Sequence, residues 1–332
     1  MSHVLGLGTA HTPEPYSEPA SMLPLAMQVP VPSHLFGGKV FPLTLHAGLT
    51  VLLGPNGAGK THILRALKPL LQQVLDRSAQ QTSRSLVARF VAAGRSAPFE
   101  RFRGPSDDPN NSGGQAGAVG HSGYRSQRHK FESLTGDMFA LQERADLRVK
   151  VEARLQALFR RRLRLQWAQQ GLEVSFISSQ GEYTVTTEAS GILHLIGLLA
   201  ALYDDEVGAI LIDEPEISLH PQLQTFLLDE ARRVAGDPAR EPSKKLVVLS
   251  THAQAMLPLR RISELLNLVF FSDVHTFPRQ VSPEAGELKR RGLVALVARL
   301  GESHRTAFFA STVLLVEGPS DEIVVGALSS FF

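Results

Sequence analysis

The segment Gly54-Pro-Asn-Gly-Ala-Gly-Lys-Thr61 is the most informative part of this 332-residue chain. It fits the pattern G-x-x-x-x-G-K-[ST] at every fixed position, and it lies between a β-rich run, Leu49–Leu53, and a run with helical apolar spacing, Thr61–Leu71. Glycines let the backbone N–H groups of such a loop turn inward around phosphate oxygens, and the start of the next helix adds the positive end of its dipole. The stretch predicts a phosphate-binding loop made of Gly54, Pro55, Asn56, Gly57, Ala58, Gly59, Lys60 and Thr61.

Two side chains of this loop predict a nucleoside triphosphate with a magnesium ion. Lys60 can neutralise the β- and γ-phosphates, and the Thr61 hydroxyl can bind Mg²⁺. A second motif, Ala209-Ile-Leu-Ile-Asp-Glu-Pro-Glu-Ile-Ser-Leu-His-Pro221, delivers Asp213 at the end of a buried strand, where open α/β sheets bind ligands. We expect Asp213 to hold Mg²⁺ and Glu214 to polarise the attacking water. The alternative is an ordinary solvated turn, and Glu216 is interpreted as a loop or helix-start residue.

A third motif places a histidine at the end of another apolar run. Leu246-Val-Val-Leu249 is typical of a buried parallel strand, and Ser250-Thr-His252 follows it. A histidine beside the γ-phosphate can donate a hydrogen bond to it and report its presence, although a lone histidine is more often structural. The three motifs together predict ATP and Mg²⁺ as cofactors, with Lys60, Glu214 and His252 as catalytic residues.

Composition narrows the class of protein. The absence of cysteine excludes a disulfide scaffold, a thiolate metal site and a cysteine nucleophile. The sequence has no apolar run of the ~18–20 residues that a bilayer span needs and no secretory signal, so a soluble cytoplasmic protein without membrane contact is expected. Residues 81–170 hold 16 Lys+Arg against 8 Asp+Glu, whereas the remainder of the chain is net negative. This excess indicates either a surface for nucleic acid or a solvated arginine-rich helical arm.

Amino-acid composition and the pattern of apolar residues divide the chain into three parts. Residues 1–35 are rich in proline and are expected to be an extended or disordered leader. Residues 36–305 are expected to form the α/β domain, with a basic loop and helical insertion at about 80–170. Further predicted elements are a flexible loop at 93–127, an amphipathic helix over Phe139–Trp167, a hairpin of Leu172–Ile177 and Tyr183–Thr187, and helices over Gly191–Tyr203 and Gln222–Val234.

The three motifs resemble those of the ATP-binding-cassette ATPases of the SMC and recombination-repair type. The string from Asp213 to Pro221 is most similar to the ATPases of the overcoming-lysogenization-defect (OLD) nucleases. The resemblance implies a P-loop NTPase fold of the ABC-ATPase type, a mixed sheet flanked by helices. It also implies that Ser190 and Gly191 form the signature pair that caps the γ-phosphate of a second protomer, giving a homodimer around two ATP molecules. A simple helix cap is the alternative for Ser190.

Residues 308–322 resemble the opening of a Toprim domain, the nuclease module of OLD proteins, so 306–332 is expected to be an incomplete Toprim fragment. In complete domains Glu317 works with a later Asp-x-Asp pair to hold Mg²⁺. No such pair follows before Phe332, so we do not expect nuclease activity from this chain alone. Either the chain is a shortened homologue or the nuclease portion lies outside it.

The function predicted from these motifs is an SMC/OLD-like ATPase that dimerises with ATP·Mg²⁺ and acts on or near DNA, in DNA repair or anti-phage defence. The alternatives are a nucleotide-gated module that controls a separate nuclease or effector, and the N-terminal part of an ATP-dependent OLD endonuclease. DNA contact is predicted at Arg144, Arg148, Arg154 and Arg160–Arg162.

Overall fold

The computed structural model of the chain describes residues 21–93, 128–130, 132–168, 171–184 and 190–281. Its strands are β1 (Leu25–Val29), β2 (Phe41–Leu45), β3 (Leu49–Leu53), β4 (Val87–Val91), β5 (Arg162–Ala168), β6 (Gly171–Ser178), β7 (Gly181–Thr184), β8 (Val207–Asp213), β9 (Leu246–Thr251), β10 (Leu268–Phe270) and β11 (Arg279–Gln280). Its helices are α1 (Lys60–Thr82), α2 (Thr135–Glu143), α3 (Ala145–Phe159), α4 (Ser190–Tyr203) and α5 (Pro221–Val234), with 3₁₀ turns at Phe36–Gly38, Gln254–Met256 and Ile262–Asn267.

A six-stranded sheet carries the three motifs. Its strand order is β4-β8-β9-β3-β10-β11; the first five strands run parallel and β11 is antiparallel. Parallel strands have their carboxyl ends at the same edge, so the loops after β3, β8 and β9 meet there. Because β9 lies between β3 and β8, the segment after β9 is flanked by the phosphate loop on one side. On the other side it is flanked by the turn of residues 214–218 that follows Asp213, which we call the Asp213 turn.

Helices cover both faces of this sheet, which explains its continuous apolar strands. All five residues of β3 are buried: Val51 and Leu53 pack against the core formed with α2–α5, and Leu52 packs against the core formed with α1 and the β1–β2 ribbon. The three-stranded sheet β5-β6-β7 contributes Leu163, Leu165 and Phe176 to the first of these cores. The predicted α/β fold, a mixed sheet flanked by helices with a helical insertion, is confirmed.

Several predicted elements are confirmed with small changes in their bounds. Helix α5 connects the parallel neighbours β8 and β9, as its sequence position predicted. The hairpin of β6 and β7 turns at Ser179–Gln180, two residues before Gly181-Glu182, where the sequence predicts the turn. Helix α1 continues past the predicted end at Leu71 to Thr82.

One prediction is wrong within the described residues and one is resolved between its alternatives. Part of the proline-rich leader, expected to be extended or disordered, is extended, since Leu25–Val29 forms β1 and pairs antiparallel with β2. The helix predicted over Phe139–Trp167 is two helices, and it ends at Phe159 because Arg160 takes a left-handed conformation with φ 54°. The sequence after it alternates apolar and polar residues and forms β5.

The loop predicted at 93–127 lies outside the described residues from 94 onward, as do residues 1–20 and the whole of the predicted Toprim fragment. None of the helices in the described ranges combines the length and the apolar character that a membrane crossing requires.

The insertion is joined to the sheet by buried ion pairs. Arg89 on β4 donates to both carboxylate oxygens of Asp137 on α2, at 2.6 and 2.7 Å, and neither side chain is more than 1% exposed. Asp204, which precedes β8, accepts from Arg128 at 2.7 Å and from Arg144 at 2.8 Å. Removing one partner of such a pair leaves a buried charge uncompensated, so these contacts fix the insertion to the strands that carry the site.

Candidate nucleotide-binding site

The loop between β3 and α1 has the backbone that phosphate binding requires. Gly57 and Gly59 take left-handed conformations, with φ 79° and 92°. Gly54 is in close contact with the next strand, because a Cβ atom there would lie 2.2 Å from the Phe271 carbonyl oxygen. Helix α1 begins at Lys60, so its first N–H groups have no intrahelical acceptor and are directed to the loop.

Lys60 lies at the centre of the loop. Its Nζ donates to the carbonyl oxygens of Gly54, at 2.8 Å, and Pro55, at 2.7 Å, and the residue is 4% exposed. Burial lowers the pKa of the Lys60 ammonium, while the carboxylates of Glu214 and Asp213 act in the opposite direction. These carboxylates are therefore within electrostatic range of the lysine, as the sequence predicted for one site.

Asp213 joins the loop to the end of β8. The Thr61 hydroxyl donates to Asp213 Oδ2 at 2.7 Å, and the Ser250 hydroxyl at the end of β9 donates to Asp213 Oδ1. Asp213 is 2% exposed, and Ser250 is fully buried. The Asp213 carboxylate and the Thr61 hydroxyl thus place two oxygen atoms close together. Oxygen atoms are the ligands that Mg²⁺ prefers, so these two could bind it.

Glu214 and His252 lie side by side at the same edge. The Glu214 N–H donates to the Ser250 carbonyl oxygen at 3.0 Å, and Glu214 has the left-handed φ of 46°. Such a conformation is strained for a residue with a side chain, and it turns the chain sharply after β8. His252 Nδ1 is 3.6 Å from Glu214 Oε1, and the His252 side chain is 41% exposed, so a ligand at the sheet edge can reach it.

Sequence reasoning missed two residues that build this edge. Glu216, interpreted as a loop or helix-start residue, is buried, and its Oε1 accepts from the Thr251 hydroxyl at 2.7 Å and from the His252 N–H at 2.9 Å. Ser250, the second residue, orients Asp213 through the hydrogen bond from its hydroxyl to Asp213 Oδ1. The three-residue run Ser250-Thr-His252 was the available signal, but the acceptors are 35 to 37 residues away in the sequence.

Ser190 and Gly191 lie at the start of α4, as predicted. Gly191 is buried against the far end of the Asp213 turn: a Cβ atom there would lie 2.4 Å from the Ser218 carbonyl oxygen. The Ser190 side chain lies outside what the structure describes.

In the described part of the basic insertion, several arginines are already engaged in contacts within the protein. Arg144 is paired with Asp146, Asp204 and Asp205, and Arg154 donates to the Tyr203 hydroxyl and pairs with Glu230 at 3.3 Å. Arg161 lies over the Tyr183 ring, 5.7 Å from its centroid. The prediction that these three arginines face DNA is therefore not supported by their contacts, whereas Arg160 and Arg162 are exposed and Arg148 is half-buried.

In a comparison with protein families, residues 124–255 match the family described as "AAA domain, putative AbiEii toxin, Type IV TA system". This range includes Asp213 and His252 but begins after the phosphate loop. Among curated proteins, the endonuclease GajA of Bacillus cereus (strain VD045) is 29% identical over 122 residues, which are 37% of this chain and 19% of that protein. The chain thus matches about a fifth of the length of this relative.

Solved structures with a similar fold include SMC head domains. The SMC head domain from Thermotoga maritima matches 77% of this chain and 99% of its own, with 12% identity and a TM-score of 0.43. The Smc head domain of Pyrococcus furiosus, bound to the C-terminal domain of ScpA, matches 82% of this chain and 99% of its own, with 11% identity and a TM-score of 0.43.

Proposed function

We propose that this chain binds ATP with Mg²⁺ at the carboxyl edge of its sheet and hydrolyses it to ADP and phosphate. The observation that carries the proposal is the series of hydrogen bonds from Thr61 through Asp213 to Ser250, which joins the phosphate loop to the ends of β8 and β9. The family match over residues 124–255 supports the same class of activity.

Each residue has a role that its contacts allow. The loop amides and Lys60 would hold the β- and γ-phosphates, and Thr61 and Asp213 would hold Mg²⁺ by oxygen ligands. The bound ion would offset negative charge on the phosphate oxygens. Glu214, turned out of the strand by its left-handed backbone, would orient a water molecule toward the γ-phosphorus and accept its proton.

His252 would donate a hydrogen bond to the γ-phosphate. Its ring is exposed at the sheet edge next to Glu214, so it can contact the substrate and the residue that orients water at the same time. Catalysis of this kind is positioning and charge stabilisation, because phosphoryl transfer leaves little covalent chemistry to the protein.

The test is the steady-state release of phosphate from Mg·ATP by wild type and by Glu214→Gln. The proposal predicts turnover by wild type and a loss of about 100-fold or more in the variant with nucleotide affinity retained, as expected for the loss of a general base. Unchanged turnover would remove Glu214 from this role. A wild-type protein that binds no nucleotide would refute the proposal as a whole.

Dimerisation and DNA contact are proposed on narrower grounds. Ser190 and Gly191 begin a helix, and such a start can bind the γ-phosphate held by a second protomer. Arg160, Arg162 and Lys150 are exposed in the insertion and can contact DNA phosphates. The match to the endonuclease GajA supports a place near nucleic acid and keeps open a separate nuclease or effector as a partner.

A further inference from the structure

Glu216 is a buried carboxylate in the turn that follows β8. Its side chain is 5% exposed, and one oxygen, Oε1, accepts from the Thr251 hydroxyl and from the His252 N–H and lies 3.2 Å from His252 Nδ1. Burying a carboxylate is costly unless its charge and lone pairs are satisfied. All three of these contacts are made by Oε1 with the end of β9, whereas Oε2 is buried and has no hydrogen-bond partner among the described residues. Glu216 is therefore held through Oε1, by the end of β9.

The distances from the His252 ring assign different roles to Glu214 and Glu216. His252 Nδ1 is 3.2 Å from Glu216 but 3.6 Å from Glu214, so Glu216 is the nearer carboxylate. With Nδ1 directed to Glu216, the other ring nitrogen, Nε2, is left to meet a ligand. The Glu214 carboxylate then remains available to orient the attacking water molecule.

The turn that carries Glu216 is held at both ends. The Glu214 N–H is bonded to Ser250 at one end, and at the other the Ser218 carbonyl packs against Gly191. Ser218 has a left-handed φ of 63°, like Glu214. A turn fixed in this way can hold a side chain within a few tenths of an ångström, which catalytic geometry requires.

We infer that Glu216 is a positioning residue: its carboxylate fixes the backbone and the ring of His252 so that the ring meets the γ-phosphate. This inference rests on the proposed function. The side-chain hydrogen bonds of Glu216 are with Thr251 and His252 rather than with the phosphate loop, so we expect its effect to pass mainly through His252. Its charge also acts at longer range on Lys60, where it raises the pKa of the ammonium against the effect of burial.

A double-mutant cycle tests the route of this effect. Glu216→Gln keeps an acceptor for the Thr251 and His252 donors but removes the charge facing Nδ1. We expect it to lower kcat for ATP about tenfold with KM within about twofold, and we expect the double variant Glu216→Gln/His252→Ala to match His252→Ala alone. Losses that multiply in the double variant, or an unchanged kcat in Glu216→Gln, would overturn the inference.

The matched control is Glu230→Gln. Glu230 is also buried and accepts a hydrogen bond from the Tyr203 hydroxyl, away from the site. We expect its kcat to stay within about twofold of wild type. An equal loss of kcat in both glutamine variants would show a general structural effect and overturn the assignment.

A second readout separates this inference from the proposed function. The ¹⁵N–¹H correlations of the His252 ring, identified by their loss in His252→Ala, are recorded without nucleotide. Glu216→Gln is expected to shift them and Glu230→Gln to leave them in place. Unshifted His252 signals would overturn the inference whether or not the protein hydrolyses ATP, whereas shifted signals in a protein without turnover would refute only the proposed function.

Discussion

Ser250 is expected to control magnesium affinity although it would touch neither the ion nor the nucleotide. Its fully buried hydroxyl donates to Asp213 Oδ1 and is 3.3 Å from the Glu214 N–H. Ser250→Ala removes a hydrogen bond to a charged acceptor, which contributes about 1.5–3 kcal/mol. By the relation between free energy and equilibrium constant, this loss corresponds to roughly 10–150-fold in the affinity that depends on Asp213. The substitution adds no atoms and so creates no clash in the core.

The assay is ATP hydrolysis as a function of Mg²⁺ concentration at saturating ATP. We expect the Mg²⁺ concentration for half-maximal rate to rise by at least about tenfold in Ser250→Ala, as for other residues that orient a metal ligand. Ser243→Ala is the control, because the Ser243 hydroxyl is exposed and donates to Glu241 at 2.9 Å, outside the site. A half-maximal Mg²⁺ concentration within twofold of wild type would refute the claim that the Ser250 hydroxyl orients Asp213 for Mg²⁺.

Three further predictions concern stability and DNA. Asp137→Asn leaves the Arg89 guanidinium buried without its counterion, so we expect a loss of about 3–5 kcal/mol in urea denaturation; a loss below about 1 kcal/mol, typical of surface pairs, contradicts it. Burial lowers the pKa of Lys245 to about 8, so the unfolded state binds the extra proton between about pH 8 and pH 10.5, and unfolding free energy rises with pH there. Relative to Lys245→Met the rise should be about 3 kcal/mol, and a pH-independent difference would argue against it. In fluorescence anisotropy with a labelled duplex, Arg160→Gln/Arg162→Gln should reduce the salt slope of DNA binding by about 1–2, and an unchanged slope would exclude these arginines as phosphate contacts.

The elements that carry the site could be predicted because their signals are local. The glycine pattern of residues 54–61 by itself predicts the conformation of the loop. The apolar runs of β8 and β9 are typical of strands covered on both faces. Parallel order then brings their carboxyl ends together without further information. Lys60, Thr61, Asp213, Glu214 and His252 accordingly converge as the motifs predicted.

The residues that were missed depend on contacts distant in the sequence. Glu216 and Ser250 act on partners 35 to 37 positions away, and neither has a local pattern that separates it from an ordinary turn or strand residue. The charge excess of the insertion misled in the same way. A count of arginines does not show that Arg144 is paired with Asp204, about sixty residues further on.

The helix predicted through Trp167 shows the limit of periodicity. Leu147, Val151 and Leu155 are buried as the helical spacing predicts, whereas Leu158, expected on the same stripe, is 38% exposed. The pattern then changes to alternation at Arg162 within a run of arginines. The left-handed Arg160 between the two periods has no sequence signal as strong as glycine.

An experimental structure of the chain with Mg²⁺ and a non-hydrolysable ATP analogue would show whether the three motifs share one nucleotide. We expect one triphosphate in the loop of residues 54–61, with its γ-phosphate in contact with Lys60 and His252 and the ion bound by Thr61 and Asp213. A triphosphate bound elsewhere, or one that touches the loop while His252 and Asp213 remain out of reach, would contradict it.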